Sequence, residues 1–338
     1  MDVNLISDTA TRPTAAMREA MFAAAVGDDV FRQDPTVNEL EAYAAGLFGT
    51  EAGLFCPSGT MTNQLAIKVH TNPLDEVICE EKSHVYQYEG GVYSLISNVS
   101  MQLLHGERGK ILPGQIREAV KPEYDWLPRT RLVVIENTCN KGGGSYYTRD
   151  EAAVLVAEAR EFGLAVHLDG ARLFNALAET GEEPADWGAL FDTLSICLSK
   201  GLGAPVGSLL LGSRAQIDLA RRFRKVLGGG MRQAGYLAAA GLFALQNHRD
   251  RLSVDNQRAR ALGARLEGLS YVAKVEPVQT NICIFHLADR RAETFLRQLA
   301  DAGVAATAFG PRTVRFTTHL DVSQEEIDYV IDLLPRLA

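Results

Sequence analysis

Apolar and polar positions alternate along the first part of the chain in a pattern typical of short strands separated by helices. Six short apolar runs predict strands: Ala52–Cys56, Glu76–Cys79, Leu132–Glu136, Ala165–Asp169, Thr193–Cys197 and Gly207–Leu211. Longer stretches of helical periodicity, such as Thr60–His70 and Asp150–Phe162, lie between several of them. Asp150 is expected to cap the second helix. This order of elements predicts an α/β fold with a mostly parallel sheet.

The pattern changes after a long helical region from Gln233 to about Leu266. Beyond it the sequence predicts, in order, a strand, a helix, a strand and a helix: Ile282–Phe285, Arg291–Ala302, Val314–Thr317 and Ser323–Leu334. These elements indicate a smaller α+β domain packed against the large one. The predicted parts are an N-terminal arm at 1–14, a large domain at 15–246 and a C-terminal domain at 247–338.

Composition narrows the class of protein. Of the 338 residues 46% are hydrophobic and 22% are charged, as in an ordinary soluble globular protein. The net charge of −8 argues against nucleic acid as a partner, because binding phosphates needs clustered Lys and Arg. One basic run, Arg221–Lys225, is most simply a solvated helix face, although a small anion could use one or two of its members. The Ala-rich stretch Ala234–Leu245 is too short to span a membrane and predicts a buried helix.

The start of the chain and the cysteines bear on location. The sequence MDVNLISDTATRP has neither a basic start nor an apolar stretch, so no signal peptide is expected. The five cysteines are Cys56, Cys79, Cys139, Cys197 and Cys283. They are scattered and form no C-x-x-C motif, which favours a reduced, cytoplasmic protein over a disulfide scaffold or a zinc site.

Ligands of parallel α/β sheets bind beyond the carboxyl ends of the strands, so the site residues are expected at or just after the strand ends. Ser58, Gly59 and Thr60 form a turn between a strand and a helix, and N–H groups at a helix start can cradle a phosphate. Such a turn is at least as often plain chain punctuation. His84 follows the next strand and could stack on a flat ring, or be an ordinary core or surface histidine.

Two charged residues also follow apolar strands. Asp169 needs a positive partner there, which a protonated pyridine nitrogen or an ion pair with Arg172 would supply. Lys200 is flanked by Gly201 and Gly203, and a desolvated lysine becomes a usable amine nucleophile. Taken alone, it is more simply a structural lysine that reaches solvent. Together, a phosphate turn, a stacking ring, a pyridinium partner and an amine match the protein groups that pyridoxal phosphate needs.

Over nearly its whole length the chain resembles the low-specificity L-threonine aldolases. The matching segments are Ser7–Pro13, Gly27–Val30, Asp34–Val37, Ser58–Thr60, His167–Arg172, Leu198–Ser208, Gly229–Gln233 and Thr318–Asp321. The resemblance implies an aspartate-aminotransferase-like fold, with a large domain built on a mostly parallel sheet and a small C-terminal α+β domain. It also implies a homotetramer that uses pyridoxal phosphate. Such enzymes reversibly cleave L-threonine, L-allo-threonine and related β-hydroxy-α-amino acids to glycine and an aldehyde.

The resemblance assigns the cofactor contacts. Lys200 would hold pyridoxal phosphate as a Schiff base, and Asp169 would pair with the pyridine nitrogen. His84 would stack on the ring and is the candidate base for the β-hydroxyl proton. The phosphate would be bound by Ser58, Gly59 and Thr60.

The resemblance also assigns substrate and subunit contacts. Ser7, Arg172 and Arg315 would hold the substrate carboxylate, which suits the planar fork of arginine, and Arg172 would also lie beside the cofactor. Lys225 and Arg232 would reach the phosphate region of a neighbouring subunit.

Three residues depart from the family pattern. Trp126 and Cys139 stand where the family has histidines, and Phe31 stands where it has tyrosine. Because Trp126 could stack on an aromatic β-substituent, it predicts a shift toward β-aryl substrates such as phenylserine. A β-eliminating lyase or an amino-acid racemase could use the same cofactor contacts. A catalytically silent cofactor-binding protein is disfavoured, because Lys200 and Asp169 are both present.

Overall fold

The computed structural model describes residues 1–337, so Ala338, the last residue of the predicted C-terminal domain, lies outside the described residues. The helices are α1 (Ala15–Phe22), α2 (Pro35–Phe48), α3 (Gly59–His70), α4 (His84–Gln87), α5 (Val92–Ile96), α6 (Gln115–Ala119), α7 (Arg149–Glu161), α8 (Leu173–Thr180), α9 (Pro184–Gly188), α10 (Arg214–Val226), α11 (Gly235–Asn247), α12 (Leu252–Leu266), α13 (Ala292–Asp301) and α14 (Gln324–Leu333). The strands are β1 (Val3–Asn4), β2 (Ala52–Cys56), β3 (Asp75–Glu80), β4 (Ser100–Leu104), β5 (Arg129–Glu136), β6 (Ala165–Asp169), β7 (Thr193–Cys197), β8 (Ser208–Gly212), β9 (Val272–Val275), β10 (Ile282–Leu287), β11 (Val304–Ala305), β12 (Thr307–Gly310) and β13 (Thr313–Thr317).

A seven-stranded sheet forms the centre of the large domain, in the order β2-β8-β7-β6-β5-β3-β4. The pairs from β7 to β4 are all parallel, whereas β8 runs antiparallel to both of its neighbours. Strands such as β2, β3 and β7 are buried along their whole length, as expected for a sheet covered on both faces. The α/β fold with a mostly parallel sheet is therefore confirmed.

Three details differ from the sequence-based prediction. The strand β4 was not predicted, because its residues are only partly buried and lack a strong apolar run. Thr148, not Asp150, caps α7, and a capping box with Glu151 accounts for this choice. The long helical region is two helices, α11 and α12, because the chain turns between them.

A second, four-stranded antiparallel sheet has the order β12-β13-β10-β9. The start of the chain joins this part of the molecule, since β1 pairs in parallel with β11. Val3 and Leu5 are accordingly buried in the same apolar cluster as Phe285 and Phe316. The proposed domain bounds remain a prediction, but the arm is packed on the C-terminal part. Among the described residues no helix is both long and apolar enough to cross a membrane.

Candidate active site

The carboxyl ends of four neighbouring strands bring the predicted chemistry to one edge of the sheet. Glu136 and Asp169 are the last residues of β5 and β6, and they are paired in register. Asp169 is also paired with Ser195 of β7, the strand that leads to Lys200. His84 lies just beyond β3, which is the other neighbour of β5. Residues far apart in sequence thus meet at a single edge, as expected for a parallel sheet.

The predicted phosphate turn lies at the start of α3. Ser58 caps the helix, and its side chain accepts a hydrogen bond from the N–H of Met61 at 3.2 Å. Gly59 is the first helical residue, and a Cβ there would lie 2.6 Å from Sγ of Cys197. The next residue, Thr60, is half-buried. Because the first N–H groups of a helix have no intrahelical acceptor, this turn can bind an anion.

Asp169 is the buried carboxylate that the sequence predicted at the end of an apolar strand. Its Oδ2 accepts from Asn63 Nδ2 at 2.8 Å and its Oδ1 from the N–H of Ala171 at 3.2 Å. The ion pair with Arg172 that was the alternative is absent, because Arg172 binds Asp8 instead. Within residues 1–337 no lysine, arginine or histidine forms an ion pair with Asp169. A buried carboxylate without such a partner fits a protonated pyridine nitrogen.

Lys200 is half-buried beyond the end of β7. Its backbone carbonyl accepts from the N–H of Gly203 at 2.8 Å and from Oγ1 of Thr11 at 3.1 Å, which fixes this loop against the N-terminal arm. No carboxylate of the described residues lies within 4.0 Å of its Nζ. These contacts fix the backbone around Lys200, and its Nζ is left available for covalent chemistry.

His84 begins α4, and its Nδ1 lies 3.0 Å from Oε1 of Glu89. Burial opposes protonation of this histidine, but the hydrogen bond that it donates to Glu89 and the charge of Asp169 outweigh burial and raise the pKa of His84. One side-chain nitrogen or oxygen atom of each of His84, Glu89 and Asp169 lies within 4.8 Å of the other two. The amide of Asn63 joins the two carboxylates, donating to Glu89 at 2.9 Å and to Asp169 at 2.8 Å.

Glu136 joins two loops of the site. Its Oε2 accepts from the N–H of His84 at 2.6 Å, and its Oε1 accepts from the N–H of Asn140 at 2.8 Å. Burial and the nearby charge of Asp169 raise the pKa of Glu136 to about 7.

Two arginines lie together on the side of the site nearest the arm. Arg172 donates to both carboxylate oxygens of Asp8 at 2.6 Å, and both side chains are buried. Arg315, on β13, donates to Oδ1 of Asn140 at 2.8 Å and to the carbonyl of Ile6 at 3.0 Å. Burial and the neighbouring charge of Arg172 lower the pKa of Arg315 to about 10.

Asp8 pairs with Arg172, whereas Arg315 has no carboxylate partner among the described residues, so a positive charge remains to be balanced. Ser7 stands beside them in the arm, and its Oγ accepts from both the N–H and the hydroxyl of Thr9. The hydroxyl hydrogen of Ser7 is thus left to donate. An incoming carboxylate would balance the charge and use these donors.

Lys225 and Arg232 are exposed at the end of α10 and in the loop after it. Arg232 forms only a long contact, 3.5 Å, with Asp28. Neither residue makes a hydrogen bond to the Ser58–Thr60 turn of its own chain within the described residues.

Trp126 was predicted to line the substrate pocket, but it does not reach the pocket of its own chain. Trp126 precedes β5 and is 76% exposed, so it lies at the opposite edge of the sheet from Glu136. Its ring stacks on Tyr124 with centroids 4.8 Å apart. Cys139 does follow β5, but it is buried, and its Sγ contacts the carbonyls of Gly109 and Glu136 at 3.3 and 3.2 Å. The β-aryl preference therefore loses the support that Trp126 gave it within one chain.

Sequence reasoning assigned no role to several residues that organise the site: Asp8, Asn63, Glu89, Glu136 and Asn140. Asp8 belongs to the matching segment Ser7–Pro13 and Glu136 ends a predicted strand, but nothing in the sequence indicated their partners. Asn63 sits in a run of three buried polar residues, Thr62–Gln64, on α3. Such a run in a helix that faces a core indicates buried hydrogen bonds, and it is the sequence signal that could have identified Asn63.

Comparison with known proteins agrees with this geometry. The sequence family described as beta-eliminating lyase matches residues 4–290. The low-specificity L-threonine aldolase of Escherichia coli K12 is 40% identical over 326 residues, which cover 96% of each chain. The low-specificity L-threonine aldolase 1 of Arabidopsis thaliana is 37% identical over 337 residues, or 97% of this chain and 94% of that protein.

Solved structures share the fold. A Leishmania major threonine aldolase has a TM-score of 0.87 at 22% identity, covering 99% of this chain and 100% of that one. A Sphingomonas wittichii serine palmitoyltransferase has a TM-score of 0.77 at 17% identity, covering 99% of this chain and 87% of that one. The matching family and the curated relatives show a lyase that uses pyridoxal phosphate, which confirms the expected enzyme class and cofactor, and the buried carboxylate and the available lysine agree with it. The chain belongs to the low-specificity L-threonine aldolases within the beta-eliminating lyase family.

Proposed function

We propose that this enzyme cleaves β-hydroxy-α-amino acids, with L-threonine and L-allo-threonine among them, reversibly to glycine and an aldehyde. The observation that carries the proposal is the conjunction at one sheet edge of an available amine, a buried carboxylate without a cation and a pair of arginines. The family membership agrees with it.

The residues of the chain divide the work as follows. Lys200 would hold pyridoxal phosphate through its Nζ, and Asp169 would hold a proton on the pyridine nitrogen. The phosphate would lie on the turn formed by Ser58, Gly59 and Thr60. When bound, the cofactor supplies an electron sink for the bond that breaks at Cα.

The substrate would be oriented by its carboxylate. Arg172, Arg315 and Ser7 would bind that group. The orientation that they impose would decide which bond of Cα stands perpendicular to the cofactor ring. His84, directly or through a water, would take the β-hydroxyl proton before the Cα–Cβ bond breaks. General-base help of this kind is worth roughly 10²–10⁴-fold in rate.

The test of the activity is a product assay. Purified enzyme is given each threonine stereoisomer, and acetaldehyde, glycine, pyruvate and ammonia are measured. Acetaldehyde with an equal amount of glycine supports the proposal, whereas pyruvate with ammonia, or the opposite enantiomer alone, would contradict it. Lys200→Ala should remove both the visible absorption of the bound cofactor and nearly all turnover; an unchanged spectrum would refute the assigned anchor.

We also propose a homotetramer, built as a pair of dimers, in which Lys225 and Arg232 approach the phosphate region of a neighbouring subunit. Large apolar side chains are exposed on the segments around these residues, namely Phe22, Phe31, Val226 and Tyr236, at 91%, 70%, 80% and 47%. Exposed apolar patches of this kind commonly mark subunit interfaces. Light scattering after size exclusion tests the assembly, and a monomer that turns over normally would refute it.

A cytoplasmic location is likewise proposed, from five free, buried cysteines.

A further inference from the structure

Glu89 contacts the candidate base but has no part in the mechanism above. Its Oε1 lies 3.0 Å from Nδ1 of His84, and its side chain is fully buried, at 0%, whereas 32% of the His84 side chain is exposed. A carboxylate can only accept hydrogen bonds, so the hydrogen of this contact belongs to Nδ1 of His84. The other ring nitrogen, Nε2, has no hydrogen-bond partner among residues 1–337.

Three donors converge on the Glu89 carboxylate. Asn63 Nδ2 donates to Oε1 at 2.9 Å, Gln64 Nε2 donates to Oε2 at 2.6 Å, and His84 supplies the third. The two amides are neutral, so His84 is the only group in contact that can balance the buried charge. The other hydrogen of the Asn63 amide reaches Asp169, so hydrogen bonds through Glu89 and Asn63 connect the histidine to that carboxylate.

Charged groups face His84 from four elements. Glu89 follows α4, Glu136 ends β5, Asp169 ends β6 and Lys200 follows β7. Burial and Lys200 oppose protonation of the imidazole, whereas Glu89 and Asp169 favour it and together raise the pKa of His84. Of these groups, Glu89 alone touches the side chain of His84.

We propose that Glu89 is a positioning residue that holds the proton of His84 on Nδ1 and supplies the negative charge that balances a protonated ring. In the neutral ring the lone pair then lies on Nε2, which is the atom directed at bound substrate. The β-hydroxyl proton would pass to Nε2, and the positive charge formed on the ring would be balanced by Glu89. The proposal deepens the base role given to His84 and rests on it, but Glu89 itself touches neither substrate nor cofactor.

The wild-type holoenzyme gives the first test. Nitrogen chemical shifts of ¹⁵N-histidine-labelled enzyme distinguish the two neutral forms of the imidazole, and His84→Asn identifies the signals by their loss. Above the pKa of His84 the hydrogen is expected on Nδ1. A neutral ring with its hydrogen on Nε2 would overturn the proposal without any variant of Glu89.

Glu89→Gln gives the second test, because it removes the charge and nearly keeps the shape. Oε1 of Gln64 is buried without a partner, so the Gln64 amide can turn and accept from the new amide. The pKa of His84 should fall by about 1 to 3 units, the range expected when an opposite charge within hydrogen-bond distance is lost. The acid limb of kcat/KM should move to lower pH by the same amount. The matched control is Glu81→Gln, which removes the exposed carboxylate beside His105 at 2.8 Å and should move neither quantity.

The outcomes separate the two proposals. An unchanged pKa of His84 in Glu89→Gln holoenzyme with normal cofactor absorption overturns the role of Glu89. A lowered pKa with an unchanged acid limb supports the role of Glu89 and refutes His84 as the base. A joint shift supports both.

Discussion

Replacing Asp8 by Asn tests the ion pair that fastens the N-terminal arm to the site. Asp8 binds Arg172 through two contacts of 2.6 Å and accepts from Asn281 Nδ2 at 3.1 Å. The exposed fractions of the Asp8 and Arg172 side chains are 0% and 6%. Removing one partner of a buried ion pair leaves the other charge uncompensated, which costs about 3–5 kcal/mol.

The pKa of Asp8 gives a second measure of the same contact. Burial opposes ionisation, but the charge and hydrogen bonds of Arg172 outweigh it and lower the pKa of Asp8 from 3.8 to about 2. Because the folded value is the lower one, the stabilisation is fully present above pH 3.8 and is lost as the pH falls through about 2. A shift of nearly two units corresponds to about 2 to 3 kcal/mol. The larger cost expected for Asp8→Asn reflects the amide hydrogen that then faces Arg172.

Urea unfolding of the holoenzyme at several pH values between 5 and 8 measures this effect. The free energy of unfolding should be lower in Asp8→Asn by about 3–5 kcal/mol, with no trend across that range, since Asp8 stays ionised throughout. Asp2→Asn, on the same arm but exposed, should change it by less than about 0.5 kcal/mol. The KM for threonine should rise more than kcat falls, because Arg172 loses its support. A loss below about 1 kcal/mol, or one that grows from pH 5 to 8, would refute this account of the ion pair.

Three further substitutions probe the rest of the site. Gly59→Ala places a Cβ 2.6 Å from Sγ of Cys197, so cofactor affinity measured by absorbance titration should fall, and Cys197→Ala in the same chain should restore part of it; no loss would contradict the close packing. Glu136→Gln should flatten the dependence of stability on pH: because burial raises the pKa of Glu136 from 4.5 to about 7, this residue stabilises the fold at low pH and loses that contribution as the pH rises between these values, and an equal decline in wild type and variant would contradict the assignment. Cys139→His should lower the melting temperature, at a cost of about 1–3 kcal/mol, because the thiol is buried against two backbone carbonyls; a stable variant with altered substrate preference would contradict this.

The sequence was sufficient to predict that Lys200, Asp169 and His84 stand at the carboxyl ends of strands, because each lies at the end of an apolar run or within a few residues of it. It did not reveal what holds them. The contact of Asn63 with Asp169 spans 106 positions, and that of Asp8 with Arg172 spans 164. Periodicity describes the face of one element only, so such partners appear when the sheet order is known.

Trp126 shows the same limit from the other direction. Correspondence with a histidine of related enzymes suggested a place in the pocket. The eight residues of β5 separate Trp126 from the edge where Glu136 lies, and they carry the chain across the sheet. An alignment shows which residue Trp126 replaces, but the course of β5 determines the end of the sheet at which Trp126 lies.

The pairing of β1 with β11 has a consequence for the order of events during synthesis. Val3 finds its partner, Val304, only after 301 further residues have been added. At about 5–20 residues per second, the arm that carries Ser7 and Asp8 waits on the order of 15–60 seconds for its strand partner. The central sheet can form on the ribosome during that interval, but Arg172 and Arg315 gain their full set of neighbours only when the last part of the chain emerges. Catalytic competence is therefore expected to lag behind the folding of the large domain in each newly made chain.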